Sequence, residues 1–222
     1  MPPETNEIQI ASEPGRKFAL WEILSVVTSC LLVEWVAFSF VGESKVVAGV
    51  PVLLALGYMF YSHREHDETW RDIGFGADNF LRACRLLLLP TAVLIALAAS
   101  VSWFSSSAAV APLRLRYLLL PVWALFQQYV LNGFINRRAQ LALGKGVKSI
   151  LLVGIVFGVL HLPNPLLAVL TFVGGLIWAA VYQRQPNLFA LALSHTLSSI
   201  ALALLVSPRL LNSLRVGFKY FG

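Results

Sequence analysis

VFGVLHLPNPLLAVLTFVGGLIWAAVYQRQPNLFALALSHTLSS, Val156 to Ser199, carries one charged residue, Arg184, in apolar runs broken at Pro163 to Pro165 and at Pro186 and Asn187. The runs are continuous rather than alternating, so they read as membrane-crossing helices and not as barrel strands. The rest of the chain agrees. It is 58% hydrophobic and 13% charged, with a mean hydropathy of +0.74, beyond what a soluble globular chain shows. A crossing needs roughly 20 apolar residues. The sequence therefore predicts an all-α, polytopic membrane bundle of about seven (six to eight) spans. They fall near 18–40, 46–62, 86–109, 117–135, 149–162, 165–182 and 187–206.

The polar, Pro- and Glu-bearing tail at 1–17 is expected to be disordered, with 18–222 forming one transmembrane domain. With the N-terminus in the cytoplasm, eleven of the 17 Lys and Arg fall on inside segments, which favours that orientation. The net charge of +6 is accounted for by basic loops facing anionic headgroups and calls for no nucleic acid. Cys30 and Cys84 have neither CxxC nor metal spacing, so no disulfide framework is indicated.

Polar residues inside spans are costly unless paired or facing a cavity, and here they are few. FQQYVLNGF, Phe126 to Phe134, holds Gln127, Gln128 and Asn132; the fifth span holds His161, and the seventh His195, Ser198 and Ser199. Residues four apart share a helix face, which aligns Gln128 with Asn132, Phe157 with His161, and His195 with Ser199. If these stripes turn inward, two imidazoles and several amides meet at one buried point. Alternatively, the amides only bridge helices by hydrogen bonds.

The run Tyr117 to Ser199 resembles the core of the CPBP family, intramembrane endopeptidases that include the type II CaaX prenyl proteases and the Abi proteins. That family shows EExxxRG, FxxxH and HxxxN on separate helices. Here the corresponding stretches are QQYVLNG (Gln127 to Gly133), FGVLH (Phe157 to His161) and HTLSS (His195 to Ser199), and WRDIGFGADNFLRA (Trp70 to Ala83) is similar to the family's lead-in. The family-like core thus covers about 70–205, most closely 117–199.

The resemblance implies a water-activating position at Gln127 partnered by His161, and oxyanion positions at His195 and Ser199. Gln128 holds the place of the family's second Glu and Asn132 that of its Arg. A carboxamide has no basic site near neutral pH, so Gln127 cannot be a general base. The expected protein is a peptide-holding, regulatory pseudo-protease whose partners are membrane lipids and a peptide or lipidated protein. It would sit as a multi-pass protein in the plasma (inner) membrane, its site opening toward the cytoplasmic half. An active endopeptidase using His161 or Glu34 as base is the alternative, and a small transporter-like bundle a further one. Two histidines do not make a zinc site, so no metal or cofactor is expected. Glu22 and Glu34 read as snorkelling toward opposite interfaces, Glu34 toward Phe40, with pairing of Glu34 to His161, His195 or Asn132 as the alternative. HREHDE, His63 to Glu68, reads as a solvated turn.

Overall fold

The computed structural model describes residues 10–37, 45–104 and 115–222. The start of the expected tail, the outer segment around Phe40 and the stretch before Leu115 lie outside the described residues. Within them every element is helical and there is no strand. In chain order they are α1 (Glu13–Leu32), α2 (Lys45–Glu65), α3 (Trp70–Ile73), α4 (Phe80–Phe104), α5 (Leu120–Gln128), α6 (Arg137–Leu143), α7 (Val147–Val159), α8 (Pro165–Arg184), α9 (Leu188–Leu205) and α10 (Pro208–Leu211). Proline in the first turn, where its missing N–H costs nothing, starts α1 ahead of the expected Phe18.

Among the described residues five helical stretches are long and apolar enough to cross a membrane: Glu13–Val36, Phe80–Phe104, Tyr117–Leu143, Pro165–Arg184 and Leu188–Leu205. They coincide with five of the predicted spans. The other two exist as helices. At 13 residues α7 covers roughly 20 Å, short of the hydrocarbon thickness, and α2, though 21 residues long, is not among the five. The chain is a polytopic helical bundle of an integral membrane protein.

Among the described residues two stretches are wound as π-helix, Val33–Ala37 and Tyr129–Asn136. The second joins α5 to α6 and carries the heart of the amide motif. In an α-helix, positions four apart drift by roughly 40° per step; the wider i→i+5 turn keeps them nearer one line.

Packing of α7 on α8 depends on missing side chains. A Cβ on Gly154 would stand 2.6 Å from Leu176 Cδ2, and one on Gly175 3.1 Å from the Gly154 Cα. Small residues let membrane helices approach this closely, and here they bring Phe157 against Trp178, ring centroids 5.8 Å apart.

The turn after α3 docks onto the α8–α9 turn. Thr69 and Asp72 form a capping box, and Gly74, at φ +104°, closes the helix under Tyr182 and Leu188. Tyr182 donates to the Ile73 carbonyl (2.7 Å), Leu188 N–H to that of Gly74 (2.8 Å) and Asn187 to that of Gly76 (2.7 Å). At the other end of α9 the chain doubles back. Asn164, which caps α8, also donates to the carbonyls of Leu211 (2.7 Å) and Arg215 (3.2 Å), and Gly217 N–H to that of Leu162 (3.0 Å).

Candidate functional site

Along α5, the π segment and α6, amides recur every fourth residue: Gln128, Asn132, Asn136 and Gln140, all buried. They form a ladder. Asn132 Nδ2 donates to Gln128 Oε1 (2.7 Å), Asn136 Nδ2 to Asn132 Oδ1 (2.9 Å) and Gln140 Nε2 to Asn136 Oδ1 (3.3 Å). Gln183 of α8 joins it, donating to Asn136 Oδ1 and to Ser149 Oγ, both at 2.9 Å. At the far end Gln128 Nε2 meets His195 Nδ1 at 3.2 Å. Burial without partners would cost each amide on the order of 1–3 kcal/mol; in the ladder each finds one.

The two imidazoles flank one ring. Phe157 stands edge-on to His161 (4.7 Å between centroids) and to His195 (5.8 Å). Trp178 lies over His195 at 4.5 Å, and Trp178 Nε1 is held by Ser194 Oγ at 3.0 Å. His161 Nδ1 bonds the Phe157 carbonyl at 2.7 Å. A carbonyl only accepts, so His161 carries its proton on Nδ1 and keeps a lone pair on Nε2.

His161 and Gln127 line a cavity of about 880 Å³ walled mainly by apolar side chains of α1, α2, α5 and α7, including Met59 and Phe126. Glu34 lines it too, from the first π segment. Its Oε2 is buried with no hydrogen-bond partner among the described residues. This corrects the snorkelling expectation: winding the π turn under the doubled-back C-terminal segment puts Glu34 on the cavity wall. Leu214 and Val216 of that segment cover one end. Among the described lining residues are neither His195 nor Ser199. The structure thus brings Gln127 and His161 to the cavity, and Gln128, Asn132 and His195 to the ladder behind it. Ser199 is half-buried one turn past His195.

A second polar cluster, away from the motifs, contradicts two further expectations. Glu22 is 1% exposed and pairs with Arg138 Nε at 3.1 Å, while its other oxygen accepts from Ser62. His63 is also buried: of HREHDE, Arg64, Glu65 and Asp67 are exposed as a solvated turn would have them, but the His63 and Glu68 side chains at its two ends are not. Glu68 accepts from His63 Nδ1 (2.5 Å), Arg137 Nε (2.6 Å) and Arg138 Nη1 (3.0 Å). Two adjacent arginines at the start of α6 need counter-charges out of water, and these supply them.

Burial opposes ionisation of Glu68, but the His63 hydrogen bond and the two guanidinium groups outweigh it and hold its carboxyl at about 2 instead of 4.5. A depressed value stabilises the fold above pH 4.5, and the contribution is lost as pH falls toward 2. Detergent-solubilised protein should lose on the order of 3 kcal/mol across that window. Glu68→Gln should flatten this part of the pH profile of the unfolding midpoint; an unchanged slope would assign the loss to other groups.

The sequence reading missed Asn136, Gln140 and Gln183. The fourfold recurrence of amides from Gln128 to Gln140 was the available signal, cut short by ending the fourth span at residue 135. Among the described residues no group of three or more His, Cys, Asp or Glu is placed to hold a metal ion.

Residues 109–201 match the family described as Rce1-like, type II CAAX prenyl endopeptidase Rce1-like. This agrees with the family that the three motifs resemble, and the matched stretch contains all of them. No curated protein and no solved structure matches the chain.

Proposed function

We propose that this protein holds an apolar peptide or lipidated tail in the cavity without hydrolysing it, as a pseudo-protease of the CAAX-endopeptidase-like fold. The observation that carries the reading is Gln127 on the wall shared with His161. Where the resemblance implies a water-activating carboxylate, a carboxamide can hold water but take no proton from it. The neutral ladder supports the same reading: an arginine at position 132 would have to displace bonds that Gln128 and Asn136 already make. With the basic segments at 63–85 and 136–148 at the cytoplasmic side, the N-terminus is cytoplasmic too. The cavity then lies toward the outer half, opposite to the opening expected from sequence, because it is lined by the ends of α1 and α7 away from those segments.

One observation favours a second reading, an active endopeptidase: Glu34 brings an unpartnered carboxylate oxygen to the same cavity. The two separate in one experiment. Purified protein should bind a fluorescent apolar peptide and leave a quenched peptide substrate intact, with Ala55→Phe, which pushes a ring into the cavity, weakening binding about tenfold or more. Cleavage that falls on the order of 100-fold or more in Glu34→Gln or His161→Ala would establish the second reading instead.

A further inference from the structure

The amide ladder has a direction, and its anchors fix it. Gln183 Oε1 accepts from the backbone N–H of Gly146 at 2.9 Å. A backbone N–H can only donate, so Gln183 must turn its NH2 toward Asn136 Oδ1. Asn136 Nδ2 lies 3.3 Å from the Ala179 carbonyl, which can only accept, and this orients Asn136 the same way from one turn earlier in α8. With Asn136 set, its NH2 faces Asn132 Oδ1, the Asn132 NH2 faces Gln128 Oε1, and the Gln128 NH2 is left facing His195 Nδ1. Reversing any one amide would put two donors or two acceptors together in a buried site, at a cost of several hydrogen bonds.

We propose that this relay fixes His195 as the tautomer protonated on Nε2, with Asn136 and Gln183 as positioning residues that act on it through Asn132 and Gln128. Nδ1 is held as an acceptor, so the remaining nitrogen can give a hydrogen bond and cannot take one. Its partner must therefore be an acceptor such as a carbonyl oxygen. His161 is set the opposite way by the Phe157 carbonyl, and its Nε2 can only take. The two rings on either side of Phe157 are thus set in opposite senses, one giving and one taking, and of the two only His161 lines the cavity. An ionised carboxylate at position 128 would instead accept from His195 and move its proton to Nδ1. The amide at 128 decides whether His195 gives or takes.

Nitrogen NMR of the full-length protein in detergent, labelled with [15N]histidine, tests the relay directly. Signals of His195 are those lost in His195→Gln. The unaltered protein should show a pyridine-like Nδ1 and a pyrrole-like Nε2. Gln128→Met, which removes the donor, and Asn136→Leu, which releases both anchors at once, should each lose that single-tautomer signature, while Ser149→Ala, which cuts only a side bond, should keep it. A pyrrole-like Nδ1 in the unaltered protein overturns the proposal, whatever the variants do. An unchanged signature in folded Gln128→Met or Asn136→Leu overturns the relay as its cause. Absence of peptide binding with the signature intact would count against the functional reading alone.

Discussion

Replacing Arg138 with methionine should destabilise the fold by about 3–5 kcal/mol, the usual cost of breaking a buried ion pair from one side. Arg138 is fully buried, lies over the Phe134 ring at 4.9 Å, and joins Glu22 of α1 to Glu68 of the loop after α2. Methionine keeps much of the packing and abandons both carboxylates. The unfolding midpoint in detergent measures the loss. Adding Glu22→Gln to Arg138→Met should recover part of it, because one uncompensated charge disappears; a single-variant loss below about 1 kcal/mol would mean that the cluster behaves as a solvated surface pair. Lysine is a poor substitute, since one ammonium cannot serve two carboxylates and a hydroxyl in a fixed fork.

Asn136→Leu should cost about 3 kcal/mol. Asn136 is where two branches of the ladder meet: it donates to Asn132 and to the Ala179 carbonyl and accepts from Gln140 and Gln183. Leucine fills similar space but leaves Asn132 Oδ1 unpaired and weakens the hold on Gln183, at about 1–3 kcal/mol for each buried group left unsatisfied. Asn136→Asp, whose carboxylate would turn an acceptor on both Asn132 Oδ1 and the Ala179 carbonyl and bury a charge, should cost more than leucine. Thermal unfolding of the three proteins in one detergent checks the order; equal midpoints for all three would show water replacing the lost bonds.

Much of this architecture was legible because apolar length is a local property. The five longest apolar runs became the five candidate spans without help from tertiary structure. The motif histidines were also legible, being spaced on single helices. Glu22 was not. A carboxylate near a helix end looks the same in sequence whether it reaches for water or for an arginine far along the chain, and Arg138 lies beyond residue 135, where the expected fourth span stops. His63 and Glu68 failed for a related reason: a charged loop is normally solvated, and only the approach of α6 takes water away. The division of the motif between the cavity and the ladder was hidden by adjacency. Gln127 and Gln128 differ by one position, about 100° around a helix, which is enough to send one to the cavity and the other to His195.

The π winding of Tyr129–Asn136 makes chain length itself part of the site. A widened turn takes up an additional residue between ends held elsewhere, here Gln128 against His195 and Arg138 against Glu22. Deleting one residue from the interval would let ordinary α winding return with both ends still on their partners, while Asn132 and its neighbours rotated out of line. Such a deletion separates what holds the helix in the bundle from what runs along it. The scaffold would persist, and the hydrogen-bonded path through its centre would be interrupted.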